Sequence, residues 1–249
     1  QGIDFVSAVS KILKYSPLAE PAGPTPAKRQ RSVFTMPTPY ENNDRVRTYL
    51  TGRGLSMDLL RMCIDAGLVY EDMRHNCVFM GFDRKKVPRY AMLRSSSPYS
   101  TFLGEVSGSD KRYSFSLSGS SETLYVFESA IDCLSFIELQ RMKTDELKPD
   151  NYLSLSGVYR PGEGKRTELP AALQEYLSIT EGIRHIALCL DNDEAGRSAA
   201  LAICAALPDK YTVELLPPQS GKDYNELLML TKGIPPNIRV RKPKERRER

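Results

Sequence analysis

The sequence predicts an α/β fold, with a mainly parallel four-stranded sheet flanked by helices and preceded by a small α+β subdomain. Two observations carry this expectation. After Gly119 short apolar runs alternate with helical stretches, and before it lie two helical segments and a hairpin pattern. A strand-helix-strand order favours parallel strands joined by right-handed crossovers.

Taken in order, residues 3–14 place Phe5, Val6, Val9, Ile12 and Leu13 at helical spacing, which predicts a short amphipathic helix. From Ser16 to about Pro39 the chain is rich in Pro, Ala and Gly and lacks periodicity, so 1–39 reads as an N-terminal helix and linker. Residues 43–52 and 56–66 predict two helices, the second with Ser56 as N-cap and Gly67 as its stop. A hairpin follows, with arms at 77–82 and 89–93 and a basic turn at 83–86. These elements make up an α+β unit over 40–118. Apolar runs at 124–127, 152–155, 186–190 and 211–216 then alternate with helical stretches at 129–142, 169–178 and 195–207, giving an α/β domain over 119–232. A basic tail fills 233–249.

Of the 249 residues 41% are hydrophobic and 27% charged, ordinary globular usage that excludes a fibrous or wholly disordered chain. The net charge of +4 permits a nucleic-acid partner without requiring one. Five cysteines show neither CxxC nor Cys/His spacing, which predicts buried thiols in a reducing cytoplasm and no zinc ligands in this stretch. No apolar run is long enough for a bilayer span and no secretory leader pattern opens the chain, so no membrane partner is expected. Because the chain starts on Gln1, it is expected to be a piece of a longer protein.

In open α/β sheets ligands bind outside the carboxyl ends of the strands. Here those positions carry acids: Glu128 ends the first run, and Asp191 and Asp193 follow the third. Neighbouring strands would bring three carboxylates into one crevice, a costly arrangement unless a cation neutralises it. Mg²⁺, with Mn²⁺ as its substitute, suits such oxygen donors and can polarise a phosphoryl oxygen. Glu194-Ala195-Gly196-Arg197 opens a helix toward the same place, where its N-terminus and Arg197 would favour a phosphate. Lys222 and Asp223 arrive at that edge after the last strand. Each acid alone has an ordinary alternative, since Asp193 and Asp223 suit helix capping and Asp132 suits a solvent-facing first turn.

Residues 122–230 resemble the Toprim domain of bacterial DNA primases, topoisomerases and nucleases. The likeness rests on Val126-Phe127-Glu128-Ser129-Ala130-Ile131-Asp132, on Asp191-Asn192-Asp193-Glu194-Ala195-Gly196-Arg197, and on the primase-type run Gly221-Lys222-Asp223. Upstream, Tyr49-Leu50-Thr51-Gly52-Arg53-Gly54-Leu55-Ser56 is similar to a primase helix junction, and 75–94 to a primase hairpin whose usual turn glycine is replaced by Lys85 and Lys86. The resemblance implies that Glu128, Asp191 and Asp193 are catalytic and bind the metal, with Asp223 supporting a second metal or a phosphate. It also implies that Arg84, Arg89, Arg94, Lys111, Arg197 and Lys222 contact nucleic acid or nucleotide. Tyr90, Tyr99 and Tyr113 offer rings for base stacking, with a core or edge position as the ordinary alternative for each.

Taken whole, the arrangement resembles the primase-like Toprim proteins carried by bacterial plasmids and conjugative elements. It implies single-stranded DNA and nucleotides as partners, and a helicase or relaxase of the mobile element. The leading reading is a nucleotidyltransferase. A Toprim nuclease would use the same acids, and a non-catalytic nucleic-acid-binding module would use the basic unit alone.

Overall fold

The computed structural model describes residues 32–144, 146, 148–157 and 168–235. The chain divides into Gln1–Ser32 and Val33–Arg249, and every element named below belongs to the second unit. The helix expected at 3–14, much of the linker and the basic tail from residue 236 lie outside the described residues.

The upstream part starts with helices α1 (Asp44–Thr51) and α2 (Met57–Asp65). The junction between them follows from its residues. Gly54 takes a φ of +92°, and the Ser56 hydroxyl caps α2 by accepting from the Leu59 amide. Four antiparallel strands follow in spatial order: β1 (Val69–Glu71), β2 (Asn76–Phe82), β3 (Pro88–Ser95) and β4 (Leu103–Glu105). The expected hairpin is β2–β3. Lys86 adopts a φ of +59° in its turn, the conformation a glycine would take more cheaply. A three-residue 3₁₀ turn at Lys111–Tyr113 then lies so close to β2 that a Cβ on Gly81 would stand 1.6 Å from the Tyr113 carbonyl oxygen.

The second sheet has the order β5 (Ser116–Leu117), β7 (Asn151–Ser154), β6 (Thr123–Phe127), β8 (His185–Leu188), β9 (Thr212–Leu215). Strands β6 to β9 are the expected parallel four. The fifth, β5, pairs antiparallel with β7 and comes from residues that the sequence reading gave to the upstream unit. Helices α3 (Ala130–Thr144), α4 (Ala171–Ile179), α5 (Glu194–Ala206) and α6 (Tyr224–Thr231) complete the unit.

Alternation along β6 sends Leu124 and Val126 into one core with Leu173, Leu188 and Ile203, and Phe127 into the other. That other core is shared: Leu50, Leu59, Phe79 and Phe115 of the upstream part pack with Leu134, Ile137 and Leu228. Every residue of α3 from Ala130 to Glu138 is buried, because the helix lies between the sheet and the upstream part. A buried Glu138 is tolerable there since Lys232 Nζ and Ser56 Oγ each sit 2.7 Å from it. Truncating one such core leucine to Ala would cost roughly 2–5 kcal/mol. Among the described residues no helix is long and apolar enough to cross a membrane. Four cysteines are buried as expected, and Cys204 is exposed on α5, a correction to the buried reading. Tyr90 is also corrected: it is fully buried and unavailable to stack on a base.

Candidate active site

Strands β6 and β8 are parallel neighbours with Val126 opposite Leu188, so the residues that leave them emerge side by side. Glu128 directly follows β6, and the Asp191 amide donates to Glu128 Oε1 at 3.4 Å. On the other flank residues 155–157, directly after β7, bond to the same strand end, where the Gly157 amide donates to the Glu128 carbonyl at 2.9 Å. Gly157, with a φ of +126°, supplies a backbone shape that a side chain would resist.

Asp191 turns tightly over the start of α5, since a Cβ on Gly196 would stand 2.2 Å from its carbonyl oxygen. Asp193 caps that helix, with Oδ1 accepting from the Gly196 amide at 2.9 Å. The segment before α6 is tied to this loop by the Asn192 amide, which donates to the Lys222 carbonyl at 2.7 Å. Lys222 Nζ then reaches back, 3.0 Å from Asp191 Oδ2 and 3.3 Å from Asp193 Oδ2. Asp223 caps α6 by accepting from the Glu226 amide at 2.7 Å. Asp132, the expected first-turn acid of α3, is buried and not solvent-facing; it accepts from Ser129 Oγ and from the Asn225 amide.

Burial and neighbouring charges shift these acids in different directions. Burial, and then the Asp191 charge, push Glu128 up to about 7. Burial also raises Asp191, although Lys222 opposes it. Burial and the nearby Asp223 charge raise Asp132. Asp193 goes the other way, lowered chiefly by the Gly196 amide, and the hydrogen bond to Asp191 holds Lys222 firmly protonated.

A cavity of about 320 Å³ opens on this edge. Glu128, Asp132, Asp191, Asp223 and Lys222 line it together with Arg53, Arg94, Phe79, Met92 and Phe115. Arg94 Nε donates to Tyr49 Oη at 2.8 Å, while the buried Nε of Arg53 has no hydrogen-bond partner. Arg53 stood in the quoted helix junction without a site role. Only the fold brings a residue so distant in sequence from Asp191 and Lys222 into their cavity.

The other expected nucleic-acid contacts are dispersed. Arg84 lines a separate cavity of about 750 Å³ with Lys86 and Arg112, which none of the acids touches except Asp83 and Glu175. Arg89 bonds Asp83 at 2.9 Å, Lys111 bonds Glu105 at 2.7 Å, and Arg197 bonds Asn192 at 3.0 and 3.1 Å. Arg94 and Lys222 are therefore the two of these cations that the fold brings to the acid cavity.

Among the described residues no three His, Cys, Asp or Glu side chains are gathered as a metal cage. The donors still fit Mg²⁺. This ion keeps several waters and takes one or two carboxylates alongside substrate phosphates, and an ammonium already bridging Asp191 and Asp193 marks the local demand for positive charge.

Residues 125–228 match the family described as Toprim-like, and residues 48–127 match one described as a protein of unknown function (DUF3991). The 65 kDa protein of Zymomonas mobilis is 31% identical over 235 residues, an alignment covering 89% of this chain and 37% of that protein. The chain thus spans little more than a third of its curated relative. Among solved structures, the primase fragment of the bacteriophage T7 primase-helicase superposes with a TM-score of 0.54 at 21% identity, covering 86% of this chain and 80% of that one. The T7 primase domains bound to an RNA/DNA hybrid and dTTP give 0.50 at 24% identity, covering 74% and 84%. The DnaG catalytic core gives 0.50 at 15% identity, covering 75% and 68%.

Proposed function

We propose, from a chain that carries a Toprim-like domain in a primase-like fold, a Mg²⁺-dependent nucleotidyltransferase that joins nucleotides on single-stranded DNA. The observation that carries the reading is the pairing of Glu128 and Asp191 at adjacent parallel strand ends, in one cavity with Arg53 and Arg94. In this reading Glu128 and Asp191 hold the ion, with Asp193 and Asp223 close behind. The ion, when bound, supplies polarisation of a phosphoryl oxygen.

The chain's own groups do the rest. Arg53 and Arg94 line the same cavity as the acids and would orient the phosphates of an incoming nucleotide. Without the ion, burial and the Asp191 charge hold the Glu128 carboxyl up at about 7, and the ion's charge would draw it to the carboxylate form that ligates. Phe79, Met92 and Phe115 make the cavity wall apolar, which strengthens every charge interaction within it. The basic hairpin turn, with Arg84, Lys85 and Lys86, would attract the template backbone independently of sequence. One structural neighbour is a fragment of a primase-helicase, which supports a helicase as a partner.

The test is incorporation of labelled nucleotides on single-stranded DNA with Mg²⁺ or Mn²⁺, with template integrity read on the same gel. Wild type should give extended products, and Asp191→Asn and Glu128→Gln should not. Shortened template strands without extended products would replace polymerisation by a nuclease reaction at the same acids.

A further inference from the structure

We propose that the Lys222 ammonium is a built-in placeholder for the divalent cation: it neutralises Asp191 and Asp193 in the free protein and exchanges them for a substrate phosphate when a cation is taken up. This rests on the divalent-cation reading above and adds an exchange step to it.

The geometry separates a fixed backbone from a movable side chain. The Lys222 carbonyl accepts from the Asn192 amide at 2.7 Å, and the Lys222 amide donates to Glu226 Oε2 at 2.6 Å, so the main chain is held on both sides. Gly221, at a φ of +78°, fixes the approach, and a Cβ there would meet the Glu226 side chain at 2.9 Å. The side chain beyond this anchor is 56% exposed and ends on two carboxylate oxygens, at 3.0 and 3.3 Å. A flexible four-carbon stem with a compact charge can leave such a site by rotamer change alone.

An ammonium and a divalent cation cannot share those oxygens, because like charges a few ångströms apart repel strongly. The exchange centres on Asp191. Asp193 is bound at both ends, with Oδ1 capping α5 and Oδ2 on Lys222, whereas the Asp191 carboxylate makes no cap. A destination for the released ammonium exists in the same cavity, where Lys222 shares the lining with Arg53 and Arg94. A phosphate chain held there would meet three cations instead of two. Cation and phosphate binding are then coupled through one side chain, each favouring the other.

The experiment is a titration of Mn²⁺ into the full chain without nucleotide, with free Mn²⁺ read by electron paramagnetic resonance. Lys222→Met removes the competing charge at similar length and should bind Mn²⁺ about three- to fivefold tighter than wild type, the scale of a partly exposed ion pair. Lys222→Arg should not. Equal or weaker binding by Lys222→Met overturns the placeholder while leaving the metal site standing. Absence of Mn²⁺ binding in wild type and Lys222→Met alike overturns both.

A second readout uses wild type alone, so it does not depend on how the variants fold. Lysine acylation by an N-hydroxysuccinimide ester, followed by mass spectrometry, should label Lys222 several-fold faster with Mg²⁺ than without, with Lys85 as the steady reference. Unchanged Lys222 labelling at a Mg²⁺ concentration that saturates the site overturns the exchange.

Discussion

Replacing Glu128 with Gln is expected to stabilise the free protein at alkaline pH. Glu128 is only 7% exposed, and burial first, then Asp191, raise its carboxyl from 4.5 to about 7. The folded protein therefore holds this proton more tightly than the unfolded chain does. The stability it contributes is fully present below about pH 4.5 and is lost as the pH rises through about 7. A difference of about 2.5 between folded and unfolded values corresponds to roughly 3 kcal/mol, an upper limit because solvent screens part of it. Gln presents the same carbonyl oxygen to the Asp191 amide, so it keeps the 3.4 Å contact and removes the charge. The assay is urea unfolding followed by circular dichroism, in EDTA, at pH 5 and pH 8.5. The variant should exceed wild type by up to about 3 kcal/mol at pH 8.5 and by less than about 1 kcal/mol at pH 5. A variant no more stable than wild type at pH 8.5 would refute the claim that Glu128 is a buried acid awaiting a counter-ion.

Three further outcomes follow from single contacts. Asp193→Ala removes the acceptor for the Gly196 amide and should cost about 1 kcal/mol in urea unfolding, whereas Asp193→Ser should recover most of it. Gly196→Ala puts a Cβ 2.2 Å from the Asp191 carbonyl oxygen and should lower stability by roughly 2 kcal/mol or more, and disable Mn²⁺ binding, while Gly182→Ala, with nothing within 4 Å, should do neither. Arg84→Gln and Lys86→Gln, at the hairpin turn, should weaken single-stranded DNA binding for every sequence tested, each lowering the slope of log affinity against log salt by about 0.7.

Much of the α/β half was legible because its signals are local. Each parallel strand is a short apolar run, and Asp191-Asn192-Asp193 marks a strand end by its abrupt change to acids. Three strands escaped notice. β1 and β4 have three residues each and β5 has two, too short to show a period, and each exists because a partner strand is already in place. The acids that meet at the site were readable as strand-end residues, but Arg53 was not, since only the packing of α1 and α2 on α3 brings it to Asp191. The roles of the basic residues were the least readable. Sequence gives a charge and not its partner, and Arg89 and Lys111 turned out to pair with Asp83 and Glu105 within the upstream sheet region. Tyr90 illustrates the same limit, because an aromatic on a strand points either to solvent or to the core, and this one is buried.

The central claim is that Glu128 and Asp191 together hold a divalent cation, and crystals of the chain grown with Mn²⁺ and a nucleoside triphosphate test it directly. The expected result is an anomalous scattering peak within coordination distance of both carboxylates, with phosphate oxygens completing the shell. A peak at other residues, or none at saturating Mn²⁺ with Lys222 still bridging Asp191 and Asp193, would contradict it.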